Sequence, residues 1–125
     1  MTPLETVNAF LKVAAQRDYD AALPMLAEDV EYQNMMLPAV HGREAVRETV
    51  EGLLALCTGS EWIAHRSLAE GPVVMNERTD RFELYGTWVD LPVMGVFEVH
   101  DGLITLWRDY FDLQTVMTAM APPQG

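Results

Sequence analysis

The sequence predicts an α+β fold: a curved antiparallel sheet with three to four helices packed on one face and a pocket enclosed between them. Three observations carry this expectation. Apolar residues in the first half recur at helical spacing, those from Glu61 onward alternate with a period of two, and Gly71-Pro72, Gly86 and Asp101-Gly102 punctuate the alternating part. Helices first and a meander of strands after them leave the helices one sheet face to cover. A chain of 125 residues can bury one core and one pocket but not two domains, so residues 1–125 read as one unit.

Thr2 and Glu5 form a capping box with Pro3 at the first helical position, and Leu4, Val7, Leu11 and Ala14 give helix one its apolar stripe to about Gln16. Asp18 caps a second short helix whose buried stripe is Tyr19, Ala22, Leu23 and Leu26. Val30 to Asn34 reads as a short strand. After Leu37-Pro38, Gly42 opens a third helix that faces inward through Val46, Val50, Leu53 and Leu54 and ends near Thr58-Gly59. Strands are expected at about 61–69, 73–85, 88–100 and 103–111, the last two joined by the Asp101-Gly102 hairpin. Asp112 caps a final helix through Met120, and 121–125 form a frayed tail.

The charge balance, 8 Lys plus Arg against 19 Asp plus Glu, gives a formal −11 with no basic patch, which argues against nucleic acid and against an anionic membrane surface. No apolar run approaches the ~20 residues that span a bilayer. The single Cys57 has no partner for an internal disulfide, and the first residues lack a signal-peptide pattern, so the expected compartment is the cytoplasm. A doubly wound hydrolase with a Gly-x-Ser-x-Gly elbow is excluded, since it needs over ~200 residues and the motif is missing. His41, His65 and His100 show no metal-ligand spacing, and Cys57 reads as a buried small hydrophobe. No cofactor is called for.

Five polar residues fall where the alternation points inward. Tyr32 and Asn34 are two apart on one strand; Arg78 and Asp80 are two apart on another, on the face of Val74, Phe82 and Leu84. Asp109 shares the parity of Leu103, Trp107 and Phe111. Each pair has a plain alternative: a strand end that satisfies nearby backbone for Tyr32 and Asn34, a surface salt bridge worth ~0–1 kcal/mol for Arg78 and Asp80. If the charged three converge, two carboxylates beside one guanidinium share one proton and the cluster sums to zero, holding an acid and a base at one pH. With Tyr32 and Asn34 to orient a water, these groups suit addition of water to a strained or polarised small molecule. By parity and position, Leu37, Val74, Leu84, Leu91, Val93 and Phe111 are expected to line the pocket, with Met35, Met36 and Met94 as adaptable apolar lining.

The ordered set Tyr32-Gln33-Asn34-Met35, Gly42-Arg43, Asn76-Glu77-Arg78-Thr79-Asp80, Gly95-Val96-Phe97 and Trp107-Arg108-Asp109-Tyr110-Phe111-Asp112 resembles the limonene epoxide hydrolase family over nearly the whole chain. The resemblance implies a cone-shaped fold of the nuclear transport factor two-like, or SnoaL-like, superfamily and usually a homodimer. It implies that Asp109 deprotonates a water held by Tyr32 and Asn34, that Asp80 protonates the epoxide oxygen, and that Arg78 bridges the carboxylates. Met36 stands where the family leads one to expect proline, and the Gly86 hairpin is short, departures that bear on substrate size. The expected activity is cofactor-independent hydrolysis of an apolar, cyclic or terpene-like epoxide to a vicinal diol. The alternatives are an isomerase or cyclase of the same superfamily, which does not need the Arg78-Asp80 acid, and a non-catalytic binding or dimerisation module.

Overall fold

A computed structural model describes residues 1–122. The chain begins with α1 (Pro3–Ala15), whose capping box is formed as expected: the Glu5 amide donates to Thr2 Oγ1 at 3.2 Å and the Thr2 amide donates to Glu5 Oε1 at 2.9 Å. Helix α2 (Tyr19–Ala22) is shorter than its apolar stripe suggests. Pro24 turns Leu23–Met25 into a single 3₁₀ turn, and Leu26, read as the end of the helical stripe, instead starts strand β1 (Leu26–Asn34). A two-residue strand β2 (Val40–His41), which the sequence does not announce, folds back on β1 before helix α3 (Arg43–Leu54).

The remaining elements are β3 (Cys57–Glu70), β4 (Val73–Leu84), β5 (Thr87–His100), β6 (Leu103–Tyr110) and α4 (Leu113–Met120). Helix α3 stops at Leu54 rather than near Thr58-Gly59, and Cys57 is the first residue of β3. Thr58-Gly59-Ser60 looks like a turn in sequence but is a bulge in an edge strand, marked by the register shift between Cys57 and Gly59. Of the expected frayed tail, residues 123–125 lie outside the described residues.

The strands form one curved, unclosed six-stranded sheet in the order β2-β1-β6-β5-β4-β3. Four of its five neighbour pairs are antiparallel; β1 and β6 run parallel, a pairing between elements far apart in the chain that periodicity does not reveal. Asp101 and Gly102 take positive φ values of 52° and 78°, the backbone that a two-residue hairpin requires. The core fills the concave side, where Trp107 is 1 % exposed and meets Phe10 edge-on and Tyr32 in a stack. Among the described residues no helix is long and apolar enough to cross a membrane.

Candidate active site

Strands β4, β5, β6 and β1 lie side by side, and their register sets the site. Asn76 on β4 is level with Gly95 on β5, Gly95 with Asp109 on β6, and Asp109 with Asn34 on β1. One step along, Tyr32 is level with Trp107. The pleat turns all of these toward the concave side, where Tyr32, Asn34, Asn76, Arg78 and Asp109 are buried. Asp109 keeps the parity of Trp107 but not that of Leu103. A bulge at Thr105, seen as the register shift between Glu98 and Val99, turns Ile104 inward instead.

Arg78 organises the centre. Its Nε and Nη2 donate to Asp80 Oδ1 and Oδ2, both at 3.0 Å, in a bidentate pair. The same Nη2 donates to Asp109 Oδ2 at 3.0 Å, and Nη1 donates to Asn76 Oδ1 at 3.1 Å. Trp107 Nε1 donates to the other Asp109 oxygen at 2.9 Å, and the Tyr32 hydroxyl donates to Asn34 Oδ1 at 3.3 Å. The three charged groups therefore converge, and both carboxylates touch one guanidinium nitrogen.

Burial sets the electrostatics. It pushes the Asp80 carboxyl above the ordinary carboxylate range, and the neighbouring Arg78 offsets only part of the rise. Burial works against the Arg78 charge too, but Asp109 and Asp80 outweigh it and hold the guanidinium protonated. The Tyr32 phenol is driven far up by burial and then by Asp109, so it remains a neutral hydroxyl. Cys57 is also raised by burial, which keeps it a thiol.

Beside these groups opens a cavity of about 650 Å³, counting the space in its mouth. Tyr32, Asn34, Asp80 and Asp109 reach its surface, and Arg78 lies behind them. The rest of the wall is apolar, including Val50, Leu53 and Leu54 of α3, Trp62 of β3, and Val116 and Met120 of α4. Of the expected lining, Leu84, Leu91 and Phe111 are on this wall. Met35, Leu37, Val74 and Val93 are not. Val74 and Val93 have the right parity but sit within the packed core, because period two fixes a side chain's face and not its depth. Leu37 and Met36 lie exposed in the turn after β1, and Met94 is on the outer face of the sheet.

Sequence reasoning passed over two polar contributors. Asn76 is on the parity of Arg78 and Asp80, which is the signal that would have found it. Trp107 read as an apolar neighbour, although a buried indole N–H two residues from Asp109 requires an acceptor. The three histidines stay apart from the site, paired with Glu31, Thr79 and Glu98.

The chain matches the family model of the limonene-1,2-epoxide hydrolase catalytic domain over residues 1–122. It is 37% identical over 107 residues to the epoxide hydrolase EphG of Mycobacterium tuberculosis, covering 86% of this chain and 71% of that protein. The solved structure of an LEH-like epoxide hydrolase of M. tuberculosis superposes with a TM-score of 0.81 at 34% identity, covering 94% of this chain and 88% of that one. A candidate SnoaL-like polyketide cyclase of Shewanella putrefaciens superposes with a TM-score of 0.85 at 12% identity over 96% of both chains, a likeness of fold alone. On the extent of the family match and the identity to these relatives, the chain belongs to the limonene-1,2-epoxide hydrolase family.

Proposed function

We propose that this protein adds water to an apolar, cyclic or terpene-like epoxide and releases a vicinal diol in one step, without a cofactor. The observation that supports the reading is the pair of carboxylates held by one Arg78 nitrogen at the surface of an apolar cavity. Asp109, with an N–H donor on each oxygen, takes a proton from water. Tyr32 and Asn34 position that water, and its oxygen attacks an epoxide carbon. Asp80, which burial inclines to keep its proton, gives that proton to the ring oxygen as the C–O bond breaks. Each turnover leaves Asp109 protonated and Asp80 ionised, and Arg78 lies between them while the proton is returned.

An isomerase or cyclase would have no use for the buried Arg78-Asp80 acid opposite Asp109, and a purely binding module would have no use for the charged set at the cavity surface. In covalent epoxide hydrolysis an aspartate attacks carbon and a histidine activates the second water; here each histidine is engaged away from the cavity. The test is a single turnover of cyclohexene oxide and limonene oxide with enzyme in excess in heavy-oxygen water. Label is expected in the first-turnover diol and not in Asp80 or Asp109. An unlabelled diol would make a carboxylate the nucleophile, and no diol from a panel of epoxides would remove the reading altogether.

Tyr32→Phe and Asn34→Ala are expected to lower kcat and leave KM near its original value, because both groups are assigned to water rather than to the epoxide. Steady-state kinetics that show the reverse pattern would move these residues to the substrate wall. We also place the protein in the cytoplasm, as a homodimer. The exposed outer sheet face carries Met94 and Tyr110 in register, beside Met75, and a second copy would cover it. A monomeric mass by light scattering at micromolar concentration would rule that assembly out.

A further inference from the structure

One polar atom at the site is buried without a partner. Asn76 is 1 % exposed, and its Nδ2 meets no hydrogen-bond acceptor among the described residues, while its Oδ1 accepts from Arg78 Nη1 at 3.1 Å. The amide cannot be turned over to relieve this, since that would set the Asn76 NH₂ against a guanidinium that offers only donors. An unsatisfied buried donor is costly and rare, and here it is the consequence of giving Arg78 an acceptor.

The surroundings are shaped for that one contact. Arg78 stands on β4 and must cross β5 to reach Asp109 on β6. It crosses where β5 has no side chain: a Cβ on Gly95 would run into Arg78 Nη1 and come within 2.7 Å of Asn76 Oδ1. Asp80 occupies Nε and one edge of Nη2, and Asp109 takes the other hydrogen of Nη2. Without an acceptor on Nη1 the guanidinium is held along one side only, and a rocking motion about that side moves Nη2 relative to Asp109.

We propose that Asn76 is a positioning residue, whose side-chain oxygen fixes the guanidinium of Arg78 so that its Nη2 stays between Asp80 and Asp109. The kinetic consequence rests on the epoxide-hydrolase reading; the consequence for Arg78 itself does not.

Two measurements test this on the full chain. In nitrogen-edited spectra of the arginine side chains, Arg78 Nη1 and Nη2 protons of the unaltered protein are expected to be resolved and slow to exchange. Asn76→Leu, close in shape but without the acceptor, should lose Nη1 protection outright, while Nη2, still bonded to Asp80, loses it only in part. Equal Nη1 protection in both proteins would overturn the proposal. With cyclohexene oxide, Asn76→Leu should lower kcat at least about tenfold with KM within about twofold, the pattern of lost transition-state alignment.

Asn76→Asp, which retains an acceptor, should recover most of kcat and move the alkaline limb of the pH profile upward by roughly one unit. A third carboxylate beside Arg78, which Asp80 faces from β4 and Asp109 from β6, makes the set more negative, so the Asp80 carboxyl that burial already raises keeps its proton to higher pH. An unshifted profile for Asn76→Asp, or a kcat in folded Asn76→Leu equal to that of the unaltered protein, would overturn the proposal. If the unaltered protein turns over no epoxide, the functional reading fails and the spectra still decide the role of Asn76. If Asn76→Leu does not fold, Asn76→Ala, which also lacks the acceptor, takes its place in the spectra and the kinetics with the same expected and overturning results.

Discussion

Asp80→Asn and Asp109→Asn are each expected to lower kcat by roughly 10²–10⁴, because in the proposed reaction each removes one half of a coupled proton transfer. The double variant is expected to be little slower than either single one. Both carboxylates bond to the same Arg78 nitrogen, and groups that act as one unit lose their function together rather than in proportion. Multiplicative losses in folded variants would mean that the two aspartates act independently. The pH dependence follows from the raised Asp80: the acid is competent while it keeps its proton, so kcat should fall on the alkaline side and Asp80→Asn should lose that limb.

Stability carries the same signature with a definite sign. A carboxyl whose value is raised by folding binds its proton more tightly in the folded chain than in the unfolded one. Its stabilising contribution is complete below the unfolded value and is lost as pH rises through the folded value. Asp80→Asn should therefore gain in thermal midpoint relative to the unaltered protein as pH increases through that window. A difference in midpoint that stays constant across it would show that Asp80 does not titrate in this way.

What could be read from the sequence was local. The Thr2–Glu5 capping box, the Asp101-Gly102 hairpin and the inward pairs Tyr32/Asn34 and Arg78/Asp80 each depend on residues no more than three apart, and the structure has them as the spacing implies. The convergence of those pairs with Asp109 was conditional on strand order, which spacing does not contain. Bulges defeated the reading where alternation was carried past them: at Gly59 a strand was shortened, and at Thr105 Leu103 was given the wrong face. The cavity wall was the least legible part. It combines β-strand residues with Val50, Leu53 and Leu54 of α3 and Val116 and Met120 of α4, and helix residues facing a pocket have the same periodicity as helix residues facing a core. Asn76 was passed over because an asparagine on an inward parity gives no indication of which charged neighbour it serves.

Gly95→Ala is expected to reduce activity by about 10² in a protein that still folds. The position needs no unusual backbone: Gly95 lies inside β5, in register with Asn76 on one side and Asp109 on the other. What it needs is room. An added Cβ would overlap Arg78 Nη1, approach Asn76 Oδ1 to 2.7 Å and Phe97 Cε1 to 3.0 Å, and none of these can retreat freely. Arg78 is bound to Asp80, Asp109 and Asn76 at once, and Phe97 is fully buried against Trp107. Either the guanidinium is lifted from between the aspartates or β5 bows outward. Overpacking of this kind costs roughly 1–3 kcal/mol of stability, and a displacement of about 1 Å at the reacting groups can cost ~10² in rate. The loss should lie in kcat, with a moderate fall in thermal midpoint. Because the methyl acts through Arg78, Gly95→Ala should cost far less activity when introduced into Arg78→Met than into the unaltered protein, a coupling that a double-mutant cycle reads directly. A folded Gly95→Ala protein with undiminished kcat would show that the guanidinium does not need the gap in β5 to serve both carboxylates.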